Sequence, residues 1–110
     1  MIGVAIAAGT TATVLVATRE TGSPAERLAR DACRHVARFT RIVEHNGPAP
    51  DATRELEAAE RSAHRASSFD VRWIQLDSGV QTLQLAFSKD DAGAADEGLR
   101  VVRTQCREAG

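Results

Sequence analysis

Hydrophobic positions recur at intervals of three and four along most of the chain after residue 22, a spacing that places them on one side of an α-helix. The first stripe follows a clear helix start, with Ser23 as N-cap, Pro24 at the first helical position and Glu26 completing a capping box. Its apolar members are Ala25, Leu28, Ala29, Ala32, Val36, Phe39 and Val43. We therefore predict a first helix from Pro24 to about His45.

Asn46, Gly47 and Pro48 should end this helix, because Gly47 can adopt a left-handed cap and Pro48 cannot continue a helix. A second helix is predicted to follow, with Asp51 as its N-cap. Its apolar seam consists of Ala52, Leu56, Ala59, Ala63 and Ala66. Small residues of this kind would allow a neighbouring helix to approach closely.

Asp70 is predicted to cap a third helix. Its apolar side would carry Phe69, Trp73, Leu76, Val80, Leu83 and Phe87. This stripe stays nearly in register with the preceding seam, so a single helix over residues 52–87 is an alternative. A last helix is predicted to begin near Asp90 or Asp91, and its apolar positions are Ala92, Ala95, Leu99, Val102 and Cys106.

The beginning of the chain has a different pattern. Ile2 to Ala17 contains eleven apolar residues and no charged one. As a helix it would span about 24 Å, short of the roughly 30 Å hydrocarbon core of a bilayer. We predict that residues 1–22 form a signal peptide or membrane anchor with a short linker, ahead of a bundle domain over residues 23–110. A pair of β-strands and an ordinary buried helix are the alternatives.

The two cysteines help to choose between three helices and four. In an up-down-up-down bundle, the last helix runs antiparallel to the first, so Cys106 can meet Cys33. A continuous helix over residues 52–87 would make the first and last helices parallel. Cys33 and Cys106 would then lie at less similar heights along the bundle axis. We therefore predict an all-α, antiparallel four-helix bundle closed by a Cys33–Cys106 disulfide. Since disulfides persist in oxidising compartments, the bundle is expected on the extracytoplasmic side of a membrane, or secreted.

Five arginines form one face of the first helix, opposite its apolar stripe: Arg27, Arg30, Arg34, Arg38 and Arg41. The face is either an ordinary solvated surface or an anion-binding strip for an acidic partner, lipid headgroups or anionic cell-wall polymer. The net charge is only −1, and no aromatic residue interleaves with these arginines. We therefore expect no nucleic-acid partner.

No catalytic, cofactor-binding or metal-binding motif stands out. His35, His45 and His64 lack the spacing of metal ligands, so we predict no metal site and no cofactor. We also expect no enzymatic activity. Gly79 and Gly98 interrupt helical patterns at a cost in stability, which close packing between helices would explain.

Three functional hypotheses follow. The leading one is a small extracytoplasmic, disulfide-closed interaction or scaffold domain that docks onto a larger membrane or envelope assembly through a protein partner. The second is a ligand-sensing or carrier bundle with a cavity around Trp73 and Leu76, to which Phe69 and Phe87 could contribute. The third is a cytosolic protein that forms oligomers through its N-terminal apolar segment.

Overall fold

The computed structural model describes residues 22–110, so the predicted targeting segment lies outside the described residues except for Gly22. Within this range there are four α-helices and no β-strand. The helices are α1 (Pro24–Asn46), α2 (Pro50–Phe69), α3 (Ile74–Lys89) and α4 (Ala92–Ala109). The predicted all-α bundle of four helices is thus confirmed for residues 22–110.

Short connections make consecutive helices antiparallel. Three residues join α1 to α2, and two residues join α3 to α4. The closing pair, α1 and α4, is antiparallel as well, because Arg30 lies opposite Ala109 and Cys33 lies opposite Cys106. The most extensive packing is that of α1 on α2 and of α3 on α4, whereas α1 and α4 share a smaller contact.

The start of α1 is the capping box that the sequence predicts. The Ser23 hydroxyl accepts a hydrogen bond from the Glu26 amide at 3.1 Å, and the Ser23 amide donates to the Glu26 carboxylate at 3.0 Å. At the other end, the Gly47 amide donates to the Val43 carbonyl at 2.9 Å. Gly47 has a φ of 69° but an extended ψ of −163°, so it uses glycine's freedom without the left-handed helical cap that was predicted.

The predicted N-cap of α2 is wrong by two positions. Ala49 is the N-cap, without a side-chain hydrogen bond, and Pro50 occupies the first helical position. The reason is that proline has a fixed φ and no amide hydrogen, both of which suit the first turn. Asp51 lies inside that turn instead, where it pairs with Arg54.

The break at Asp70 is confirmed, so the alternative of one helix over residues 52–87 is wrong. Asp70 has an extended backbone (φ −153°, ψ 117°), and its carboxylate accepts a hydrogen bond from the Arg72 amide at 3.0 Å. It thereby caps a short 3₁₀ helix, Val71–Trp73, which leads directly into α3. We refer to the segment from Phe69 to Ile74 as the α2–α3 corner.

The apolar stripe of α3 was predicted correctly except at its first member. Phe69 is 63% exposed, because it belongs to α2 and points about 100° away from the α2 seam. Trp73, Leu76, Val80 and Leu83 are fully buried. The last helix begins as expected: Asp91 is its N-cap and accepts a hydrogen bond from the Ala94 amide at 3.1 Å.

Alanine supplies much of the core, so large side chains matter wherever they occur. Trp73 is the largest fully buried residue of the described chain. At the opposite end of α3, the rings of Phe39 and Phe87 meet edge to face, with centroids 5.1 Å apart. The core therefore contains mainly small side chains along α2. Trp73 fills it near one end of the bundle, and the Phe39–Phe87 pair fills it near the other end.

Candidate functional site

The predicted disulfide is present. Cys33 of α1 and Cys106 of α4 are bonded, with Cα atoms 5.9 Å apart and 73 residues between them in the sequence. One turn away, the Arg30 guanidinium donates to the Ala109 carbonyl at 3.3 Å. The bridge therefore closes the bundle across the helix pair that has the smaller packing contact.

The arginine face of α1 lies on the surface of the bundle. Arg27, Arg34, Arg38 and Arg41 are exposed, and Arg30 is half-buried beside the end of α4. Arg27 donates to the Gly22 carbonyl at 3.1 Å, whereas Arg41 has no ion-pair partner within residues 22–110. The strip thus runs along nearly the whole of α1 and presents most of its guanidinium groups to solvent.

Two carboxylates border this arginine face where α1 meets α2. Asp31 is 3.0 Å from the Arg34 guanidinium, and Glu55 is 2.7 Å from Nδ1 of His35 and 4.0 Å from Arg38. They reduce the positive charge along one side of the face. Its other side, toward α4, has the disulfide as its neighbour.

Asp31 is held ionised by a contact between the two helices. The Ser62 hydroxyl donates to its carboxylate at 2.7 Å. This hydrogen bond is the largest cause that lowers the pKa of Asp31. Partial burial opposes it, and smaller contributions from His35 and Arg34 act in the same direction as the hydrogen bond, so the pKa is lowered overall. Asp31 therefore stays charged at neutral pH and orients α2 against the arginine face.

A second surface feature lies at the end of the bundle where α1 begins and α2 and α4 end. Three large apolar side chains of the α2–α3 corner are exposed there: Phe69 (63%), Val71 (76%) and Ile74 (51%). Leu85 is the other exposed large hydrophobic residue of the described chain, and it lies toward the opposite end of α3. The corner therefore concentrates most of the exposed apolar bulk in six consecutive residues.

Arg72 ties this corner to the neighbouring helix ends. Its guanidinium lies 4.5 Å from the centre of the Trp73 ring, donates to the Glu108 carbonyl at 3.3 Å and is 3.9 Å from the Glu26 carboxylate. The stacking and the hydrogen bond hold the corner against the end of α4. The exposed apolar residues are consequently presented from a fixed part of the bundle.

Two of the aromatic residues proposed to line a ligand cavity, Trp73 and Phe87, lie far apart along the bundle. Trp73 and Leu76 have no exposed surface, and neither lines the grooves of about 630, 410, 260 and 240 Å³ on the surface of residues 22–110. Phe87 lines grooves of about 630 and 260 Å³, but it is about 20 Å from Trp73 along α3. The structure gives the cavity hypothesis no support.

One cluster of possible metal ligands escaped the sequence analysis. Glu60 and His64 are four residues apart on α2, and with Asp77 of α3 they offer ligand atoms within 4.8 Å of one another. The signal is a carboxylate paired with a histidine at i,i+4, whereas the prediction of no metal site rests on the spacing of the histidines. Nδ1 of His64 is 3.2 Å from the Asp77 carboxylate, and such an ion pair needs no metal. The cluster alone does not establish a cation site.

Comparison with known proteins adds no relative: the chain matches no family model, no curated protein and no solved structure. Across residues 22–110, none of the helices combines the length and the hydropathy that a bilayer crossing requires. The disulfide, the arginine face and the exposed corner are therefore the features of residues 22–110 that bear on function.

Proposed function

We propose that the protein is a small extracytoplasmic binding module, closed by a disulfide and brought to or held at a membrane by its N-terminal segment. It would dock onto a larger envelope assembly through a protein partner and would have no catalytic role. The Cys33–Cys106 bridge is the observation that carries this proposal.

The bridge bears on location because cysteine pairs stay reduced in most cytosolic proteins and oxidised in secreted or periplasmic ones. The uncharged stretch from Ile2 to Ala17 supports the same location, since a run of this length and composition is typical of a signal-peptide core or a short anchor. Two independent features of the chain, the uncharged stretch ahead of α1 and the bridge between α1 and α4, thus favour export.

The arginine face supports a role in binding. It presents Arg34, Arg38 and Arg41 on one exposed helix surface, and guanidinium groups pair well with carboxylates in two-pronged hydrogen bonds. An acidic surface on a partner protein would complement this strip. The partner's carboxylates would add to Asp31 and Glu55, which already occupy the side toward α2.

The location can be tested on the protein as it occurs in its native cell. Cells are treated with a thiol-blocking reagent before lysis and separated into soluble and membrane fractions, and the protein is analysed without reductant by mass spectrometry. We expect unmodified, bridged cysteines in a membrane or exported fraction. Blocked thiols on a protein in the cytosolic fraction would contradict the proposal and favour the cytosolic alternative.

The binding role can be tested with two matched variants. R34Q/R38Q/R41Q removes three arginines from the arginine face, and R61Q/R103Q/R107Q removes three exposed arginines from α2 and α4. Both change the net charge by the same amount. Cross-linking in intact cells should yield a partner adduct that is lost only in the first variant; equal adducts in both would show that the face does not bind.

A further inference from the structure

We propose that the α2–α3 corner is a lipid-binding surface: Phe69, Val71 and Ile74 insert into the interfacial region of the membrane that the N-terminal segment engages. This inference rests on the membrane association proposed above and adds an orientation, with the disulfide-closed bundle seated end-on on the bilayer. The partner is a phospholipid surface.

The first reason is the exposure of the corner. Single apolar residues are common on protein surfaces, whereas three large ones within six consecutive residues concentrate exposed apolar surface that a covering partner would explain. Val71 is 76% exposed and lies between Phe69 and Ile74, both more than half exposed. Phenylalanine and isoleucine are side chains that favour burial at the boundary between headgroups and acyl chains.

The second reason is the position of the corner relative to the N-terminal segment. Phe69 and Pro24 line the same groove of about 410 Å³, and Arg72 reaches Glu26 in the first turn of α1. The corner is therefore at the end of the bundle from which the chain runs back toward residue 1. This end, and not the one that carries Leu85, is where the described chain begins at Gly22.

The third reason is the short distance that the intervening chain can cover. Five peptide steps separate Ala17, the last residue of the apolar segment, from Gly22. A fully extended chain would cover about 17 Å over these steps. If the apolar segment is in the bilayer, this end of the bundle is held at the membrane surface, where the corner can reach the interface.

The charges around the corner are compatible with phospholipid headgroups. Arg27 and Arg65 are exposed and line the same groove as Phe69. The acidic groups around the corner are engaged within the protein. Asp70 caps the 3₁₀ helix, Glu26 belongs to the capping box of α1, and Asp31, which lines the same groove as Phe69, accepts a hydrogen bond from Ser62. Anionic headgroups would therefore meet two exposed guanidinium groups beside the apolar side chains: that of Arg65, and that of Arg27, which uses one N–H for the Gly22 carbonyl and has others to donate.

The test measures the depth of single labels on the full-length protein with its native bridge oxidised. A cysteine placed by V71C or, as a matched control, by L85C is labelled with an environment-sensitive fluorophore. The protein is then reconstituted into vesicles of phosphatidylcholine with or without phosphatidylglycerol. Nitroxide-bearing lipids report contact with the membrane.

We expect the V71C label to shift its emission to the blue and to be quenched by nitroxide lipids several-fold more than the L85C label. The shift should be greater with phosphatidylglycerol. In an F69S/I74S background the V71C label should lose most of this quenching, whereas an L85S background should leave it unchanged. Both serine backgrounds alter exposed residues, and circular dichroism confirms that each variant is folded.

Other outcomes would overturn the inference. If the protein co-sediments with vesicles but the V71C label stays as aqueous as the L85C label, the orientation is wrong while the proposed membrane association stands. A blue shift that exists without vesicles would mean that the corner is covered by the chain's own N-terminal segment or by a second copy. Failure of the full-length protein to associate with vesicles would overturn both proposals.

Discussion

Gly98 of α4 packs directly against the backbone of α3 at Gly79. A β-carbon added to Gly98 would lie 3.2 Å from the Gly79 carbonyl oxygen and 3.1 Å from the backbone nitrogen of Leu83. A β-carbon on Gly79 would instead meet the Val101 side chain at 2.9 Å. The two glycines let α3 and α4 approach until their backbones touch. This close contact explains why glycine occupies two helical positions, although glycine inside a helix lowers its stability.

Gly98→Ala should therefore destabilise the protein, although alanine is the better helix former. The intrinsic gain of about 1 kcal/mol for alanine cannot offset a contact with backbone atoms that have no rotamer to change. Gly93→Ala is the matched control on α4, since a β-carbon there would have its nearest neighbour at 3.7 Å. Urea denaturation should show a lower midpoint for the first variant and a higher one for the second. Equal midpoints would contradict this packing.

Removing the disulfide should cost a large part of the stability. A bridge that closes a loop of 73 residues contributes roughly 4 kcal/mol in the chain-entropy model, and native bridges commonly contribute about 2–5 kcal/mol. We expect C33S, C106S and the double variant to be destabilised by similar amounts, because each removes the same bond. Chemical denaturation with and without reductant measures this. Reductant should not change the double variant, and a small effect on the native protein would contradict the role of the bridge.

Trp73→Ala should be among the most damaging substitutions in the core. The indole is fully buried in a bundle whose other core residues are mostly small, so its loss leaves a cavity that costs about 3–5 kcal/mol. Trp73→Phe should cost much less, because the phenyl ring keeps much of the packing and removes the indole N–H, which is buried without a hydrogen-bond partner in residues 22–110. Thermal unfolding would rank the two, and the reverse order would contradict the core role.

Much of the fold could be predicted because its strongest signals are local. The Ser23 capping box, the stop at Gly47 and the break at Asp70 each depend on residues within one turn, and all three mark helix ends in the structure. Asp51 shows where this reasoning fails. Asp51 and Pro50 both suit the start of a helix, and only backbone geometry decides which position each one occupies.

The surface features could be predicted less well because they depend on how the helices are placed. The arginine face follows from periodicity along α1 alone, so it was visible in the sequence. The exposure of Phe69 was not, since it depends on the helix ending at that residue. The cluster of Glu60, His64 and Asp77 likewise joins two helices whose relative level no sequence pattern specifies.

The contact between Ser62 and Asp31 should be visible in the acid stability of the protein. The Ser62 hydrogen bond lowers the pKa of Asp31 below its usual value of 3.8, so the folded state binds the proton less readily than the unfolded chain does. The resulting stabilisation is present above the unfolded pKa and is lost as the pH falls through the lower, folded pKa. Ser62→Ala should raise the pKa of Asp31 and reduce the loss of stability on acidification below about pH 4.

Carboxyl NMR titration of the folded protein measures that pKa, and denaturation at several acidic pH values measures the stability. Ser68→Ala is the control on the same helix, because the Ser68 hydroxyl donates to the His64 carbonyl and does not reach Asp31. It should leave the Asp31 titration unchanged. If Ser62→Ala also leaves the pKa of Asp31 unchanged, the hydrogen bond between the two helices does not set that pKa. The low pKa of Asp31 must then depend on its contacts with Arg34 and His35.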